Sequence, residues 1–399
     1  MSSPLSKYFL GVGAKRLSSV EVQPRSSNQH EFNGVGSFKQ LLGTERITFT
    51  AKFIYLSDNE EQTIEDTGQL TWYDAREQHP TRSEYRLYYT PNEVIRTAKA
   101  SDFVIVAKVG ETELMVIVAA TGSTTERQLI WLFGLHEPGG SFEVKDYRGD
   151  HRDIGYAGRY IISSLGIELE ETGPDFREIL LGRYGLTMPK TKEFSAFARS
   201  TVKDVSPIED PDATLIAWLQ REELLFRTLE REIVKQKLEQ GFGEDGSDVD
   251  EFISFSLSVQ NRRKARAGFA FENNLAVIFD SNHIKYTQGG RTERNNKPDF
   301  LFPGEVEYHS PVFPTELLSM LGVKTTSKDR WRQVLAEADR VPRKHLITLE
   351  PAISKNQTEE MAAQNLQLVI PLPLLDTYRE DQQAGLITLG EFIGFLKSK

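Results

Sequence analysis

Lys297-Pro298-Asp299-Phe300-Leu301-Phe302 and, further along, Met320-Leu321-Gly322-Val323-Lys324 are two short apolar runs, each with an ionisable residue at one end. Runs of this length, bounded by proline or charge, read as buried strands. Residues 261–279 carry Phe271, Leu275, Ile278 and Phe279 at helical spacing, and a second helix is expected over about 328–340. Residues 345–349 and 366–370 repeat the strand pattern. This alternation predicts an α/β domain over 201–399. Its first helix opens at Asp210-Pro211, aspartate as N-cap and proline in the first helical position, with Leu215, Leu219, Phe226, Leu229 and Ile233 on one stripe.

Towards the N-terminus the texture changes twice. Residues 167–200 mix glycine, proline and charge without a sustained period and read as a hinge or linker. Residues 1–166 hold short runs of β-formers broken by glycine, asparagine and charged clusters, which predicts a mainly-β domain of barrel or sandwich type. A chain of 399 residues is long enough for two cores. Its net charge is −10, but residues 201–250 sum to −7 and 261–350 to +4, so any surface for a polyanion is local. The absence of cysteine excludes disulfides, thiolate zinc sites and cysteine nucleophiles. No basic segment with a following apolar run opens the sequence, and no window reaches the roughly 18 apolar residues of a membrane span. A soluble, cytoplasmic protein with no membrane partner is expected.

Asp299 and Lys324 at the ends of buried strands are costly unless they meet something. Phosphodiester hydrolysis requires a carboxylate-held divalent metal, to polarise the phosphate and acidify a water, and a cation near the reacting oxygens. Asp299 and Lys324 suit those roles. The usual nuclease form is P-D on one strand and (D/E)-x-K on the next, but the position two before Lys324 is Gly322, which has no ligand to offer. Glu337 can supply the missing acid if it shares a helical face with Arg330 and Gln333. Glu272, beside Phe271, is a further acid. On residue types alone, a turn at P-D and a surface lysine remain the competing reading.

The words Ser258-Val259-Gln260-Asn261-Arg262-Arg263-Lys264-Ala265-Arg266-Ala267-Gly268, Lys297-Pro298-Asp299-Phe300-Leu301-Phe302-Pro303 and Val323-Lys324-Thr325-Thr326-Ser327-Lys328-Asp329-Arg330-Trp331 resemble the catalytic domain of the EcoRII family of type II restriction endonucleases. The likeness runs from about Met188 to the C-terminus. It implies a C-terminal α/β restriction-endonuclease-like domain of PD-(D/E)xK type that uses Mg2+, with Asp299, Lys324 and Glu337 catalytic and Asp299 and Glu337 holding the metal. Tyr308 falls where the family places an active-site tyrosine, and Glu272 matches a supporting acid. Lys328, Asp329 and Arg330 correspond to the reader of the outer G·C pairs of CCWGG or a similar pseudopalindrome, in keeping with arginine for guanine and a carboxylate for cytosine N4. Arg262, Arg263 and Arg266 are expected at DNA phosphates.

In the first half, Arg82, Glu84 and Arg86 alternate, so on a strand they share one face. With Lys15, Arg16, Gln29 and His30 they resemble, more thinly, the DNA-gripping arms of the family's N-terminal pseudobarrel. The family implies a homodimer acting on double-stranded DNA, a first domain that blocks the nuclease until an effector duplex binds, and a companion methyltransferase. Two rivals stand: a non-catalytic DNA-binding protein on a nuclease scaffold, and a defence nuclease triggered by another ligand.

Overall fold

The computed structural model describes residues 4–22, 30–33, 35–58, 62–151, 153–169, 176–327 and 330–399. Two compact units emerge, the first comprising Met1–Glu170 with Pro351–Gln357, the second Glu171–Glu350 with Thr358–Lys399.

The first unit is built on eight strands: β1 (Gly11–Arg16), β2 (Glu31–Phe32), β3 (Ile47–Leu56), β4 (Ile64–Asp74), β5 (Tyr85–Tyr89), β6 (Phe103–Lys108), β7 (Glu113–Ala119) and β8 (Glu143–Asp146). They form one sheet in the order β2-β5-β4-β3-β7-β6-β1-β8, antiparallel except where β3 runs parallel to β7. Strand alternation divides the apolar residues between two cores. Phe49, Phe53, Leu70, Trp72, Val104 and Val116 fill one face, while Ile54, Ile105 and Ile117 fill the other with Leu129 of α1 (Thr124–Leu132) and Ile161 of α2 (Gly155–Ser164). With both faces covered, β6 is buried at every position. The Phe32 ring of β2 and that of Phe142, just before β8, lie 6.3 Å apart, so side chains connect the two edges of the sheet.

The second unit begins with helices. Residues 177–200, expected in a linker, instead form α3 (Arg177–Tyr184) and α4 (Thr191–Ser200). Leu180, Phe194 and Ala198 are fully buried against Leu225, Phe226 and Leu229 of α5 (Pro211–Gln240). Each helix is too short to show a sustained period, which is why its apolar anchors read as loop residues. Asp210 caps α5 as expected, accepting the Ala213 amide at 2.9 Å. Then comes α6 (Val249–Ser281), extending well upstream of the expected 261–279.

A five-stranded mixed sheet completes the unit: β9 (Thr287–Gln288), β10 (Phe300–Phe302), β11 (Ser319–Lys324), β12 (Lys344–Thr348) and β13 (Leu366–Val369), ordered β13-β12-β11-β10-β9. The β11, β12 and β13 strands are parallel; β10 is antiparallel to both neighbours. Phe279 of α6 meets Phe300 and Phe302 at 5.2 and 5.3 Å between ring centroids, which fixes α6 across the sheet beside β10. Between β11 and β12 lies α7 (Trp331–Leu335), and α8 (Leu389–Lys397) closes the chain. No described helix is long and apolar enough to cross a membrane.

Candidate active site

Asp299 stands at the entry to β10, and pairing of Phe300 with Leu321 sets it beside the end of β11. Its Oδ2 accepts the Val323 amide at 2.6 Å and lies 3.2 Å from Lys324 Nζ. Both side chains stay about one-fifth exposed, so the pair is open to solvent. Gly322 shares the Lys324 face of β11. A Cβ there would lie 2.8 Å from Val334 Cγ2, so the place an acid would occupy is filled by a buried valine of α7.

Glu337 does not ride on a helix with Arg330 and Gln333, as the spacing suggested. The helix ends at Leu335, and Glu337 sits in the turn that follows, where Ala338 is left-handed at φ 49°. Burial, followed by the negative charge of Asp299, pushes its carboxyl up to about 7. Its Oε2 is buried without a hydrogen-bond partner. Glu272 projects from α6 towards the same charges. It accepts from Gln288 Nε2 at 3.0 Å, and burial first and Asp299 second raise its pKa.

Three carboxylates therefore share one field with Lys324, and Lys344 also acts on Glu337. Buried negative charge in excess, with an oxygen left unpartnered, fits a divalent cation bound through Asp299 and Glu337. Among the described residues no three acid or imidazole side chains form a cage on their own. Other oxygen ligands, such as water, would have to complete the shell.

Tyr308, expected at the catalytic centre, lies one step away from it. It sits fully buried on the short helix Glu305–His309, its hydroxyl donating to Glu293 at 2.5 Å and accepting the Arg340 amide at 3.2 Å. Sequence reasoning also missed Gln288, Glu293, Asn296 and Lys344. Only for Glu293 and Asn296 was there a signal, their place just ahead of Pro298-Asp299.

Several expected DNA contacts have partners within the protein itself. Arg263 pairs through Nε with the buried Glu230 at 2.6 Å. Arg266 donates to the Pro189 carbonyl between the Phe194 and Phe226 rings, and burial lowers its pKa. Arg262 has one terminal nitrogen buried without a hydrogen-bond partner. The helical period turns these arginines towards α4 and α5, leaving Lys264 outermost. Arg330 is exposed just ahead of α7; Lys328 and Asp329 lie outside the described residues.

In the first unit, Lys15 is fully buried in an ion pair with Glu21 at 2.5 Å, so it is a core cation and not a phosphate contact. Arg16 is tied to Glu126 and to the Ser101 carbonyl. Arg82, Glu84 and Arg86 do not share a strand face, because β5 starts only at Tyr85. Glu84 pairs with Arg76 and Arg86, and Arg86 also with Glu31. Arg82 is exposed, and His30 packs edge-on against Tyr88 and Tyr89. Gln29 lies outside the described residues.

In this unit an aspartate at the head of one strand, a lysine at the end of the next and an acid from the following turn lie in one field. Residues 226–393 match the family described as EcoRII C terminal. Over 232 residues the chain is 40% identical to "Type II restriction enzyme EcoRII" of Escherichia coli, an alignment covering 58% of this chain and 56% of that enzyme. The resemblance read from the sequence words is borne out. The chain thus matches about half the length of this curated relative. Among solved structures, "Metal-depleted Ecl18kI in complex with uncleaved, modified DNA" is similar at 18% identity and TM-score 0.46, covering 57% of this chain and 85% of that one. "Restriction endonuclease PspGI-substrate DNA complex" is similar at 14% and 0.43, covering 53% and 95%.

Proposed function

We propose that this chain is a Mg2+-dependent type II restriction endonuclease, cutting both strands of DNA at CCWGG or a similar pseudopalindrome. The observation that carries the reading is the convergence of Asp299, Lys324 and Glu337, with a buried Glu337 oxygen left without a partner. Bound magnesium would polarise the scissile phosphate and lower the pKa of the attacking water. Asp299, with its Oδ2 fixed by the Val323 amide, would hold one side of the ion. Glu337 would hold the other, giving up the proton its burial favours. The Lys324 ammonium would stand against charge building on the phosphate oxygens. Glu272 would support the site from α6. Hydrolysis would leave 5′-phosphate ends. Arg330, with Lys328 and Asp329, would read the outer G·C pairs.

The first unit, an effector DNA-binding pseudobarrel in this reading, would restrain the nuclease until a second duplex binds, with exposed Arg82 and neighbouring His30 among its contacts. A pseudopalindromic site calls for a two-fold symmetric homodimer. A partner methyltransferase would protect the host's own sites. Incubation of mixed DNA with Mg2+, followed by sequencing of the ends, tests the reading. Discrete ends flanking one short motif support it; intact or randomly cut DNA overturns it. Intact DNA that is nevertheless bound specifically would favour a non-catalytic DNA-binding protein.

A further inference from the structure

The turn carrying Glu337 is held locally by the Glu337 amide on the Val334 carbonyl at 3.2 Å and the Val341 amide on the Ala338 carbonyl at 2.9 Å. It follows a five-residue helix and passes through left-handed Ala338, a conformation that costs an L-residue about 1–2 kcal/mol. Its backbone is further bound to the segment leading into Asp299. Asn296 Nδ2 donates to the Ala336 carbonyl at 2.6 Å, Thr292 Oγ1 accepts the Ala338 amide at 3.4 Å, and Glu293 Oε2 accepts the Asp339 amide at 3.1 Å. That same Glu293 oxygen takes the Tyr308 hydroxyl, which in turn accepts the Arg340 amide. On the far side, Lys344 Nζ donates to the Ala338 and Val341 carbonyls at 3.1 and 3.2 Å. Two further left-handed residues, Arg294 and Asn295, shape the segment that supplies these bonds.

Resting on the nuclease reading above, we infer that Glu293 is a positioning residue: through its bonds to Asp339 and Tyr308 it fixes the turn that presents Glu337 opposite Asp299. Glu293 Oε2 accepts from both Tyr308 and Asp339. A hydrogen-bond acceptor at the right place is what the role demands, so a neutral amide oxygen serves as well as a carboxylate. Tyr308 acts through Glu293 and Arg340, which explains why a residue in the family's active-site region has its hydroxyl aimed at a loop.

The test uses the full chain with Glu293→Ala, Glu293→Gln and Tyr308→Phe. Two readouts are taken: Mn2+ binding to the protein–duplex complex by loss of the free-ion EPR signal, under conditions too cold and brief for turnover, and the Mg2+ concentration giving half-maximal cleavage. Glu293→Ala and Tyr308→Phe are expected to weaken Mn2+ binding about 10–100-fold, the usual loss when a ligand's support is removed. Metal-free affinity for the specific duplex should stay unchanged. Glu293→Gln is expected to lie within about threefold of wild type. A Gln variant as weak as the Ala variant would overturn the inference, because charge would then be what matters; so would an Ala variant that binds Mn2+ normally. If the wild type binds Mn2+ but does not cut DNA, the nuclease reading fails on cleavage, while the Mn2+ comparison still decides the role of Glu293.

Discussion

Replacing Gly322 by alanine tests why the second acid left its usual place. The new Cβ would lie 2.8 Å from Val334 Cγ2, 3.1 Å from Cγ1 and 3.6 Å from Leu346 Cδ1. The first two distances are below van der Waals contact, and both fall on one fully buried valine. Overpacking of this kind costs about 1–3 kcal/mol. Val334→Ala alone removes two methyl groups and leaves a void, at about 2 kcal/mol. In the double variant the new methyl occupies part of that void, so the combined loss should fall short of the sum by about 1–2 kcal/mol. Because a two-unit chain need not unfold in a single step, hydrogen exchange of β11 and β12 amides during a urea titration is the suitable measure. Activity should follow the same packing: Gly322→Glu should fail to rescue Glu337→Ala while Val334 is present, and regain measurable cleavage once Val334 is alanine. Additive stability losses, or rescue with Val334 intact, would refute the claim that the valine excludes an acid from position 322.

Asp299→Ala and Lys324→Ala should abolish cleavage while specific DNA binding in Ca2+ remains, read by plasmid cutting beside a filter-binding assay. With the Glu337 carboxyl held up at about 7, the Mg2+ needed for half-maximal cleavage should rise by up to tenfold for each pH unit below 7, as protons compete for the ligand. Burial depresses His345 to about 3, so its contribution is fully present above the unfolded value near 6.5 and is lost as pH falls towards 3. Relative to His345→Leu, the wild type should lose about 2 kcal/mol between pH 7 and 5 in urea titrations. Arg263→Ala strands the buried Glu230 and should cost about 2–4 kcal/mol of stability with the salt dependence of DNA binding unchanged. Arg330→Ala should instead lose about 1–3 kcal/mol of discrimination between specific and altered duplexes. A chain truncated to begin just before Phe176 should cut single-site DNA faster than the full chain, whereas one beginning at Met188 loses buried Leu180 and should be less stable.

The Pro298-Asp299 and Lys324 pair was legible because strand periodicity and a buried charge are local signals, and both residues stand where those signals put them. Glu337 could be named from the sequence, but its presentation could not. The spacing to Arg330 and Gln333 suggested one helical face, while the helix ends at Leu335 because the chain must turn through Ala338 to meet residues 292–296. Those partners lie about forty positions away in sequence, and no periodicity reports them.

The arginines show the opposite case, a strong local signal whose side chains the fold gives other partners. Four basic residues in five positions read as a phosphate-binding run, yet a helix shows only part of its circumference to solvent. Arg263 and Arg266 fall on the side that meets α4 and α5, where Glu230 and two phenylalanine rings receive them. Lys15 repeats the lesson on a strand buried on both faces, where Glu21, six residues on, makes a buried ammonium tolerable. Charge composition counts cations, whereas their availability to DNA depends on which acids the fold brings within reach. For this chain that leaves Lys264 on α6, Arg330 ahead of α7 and Arg82 ahead of β5 as the exposed basic positions among those weighed, and directs DNA-contact mutagenesis to them before the inward-facing arginines.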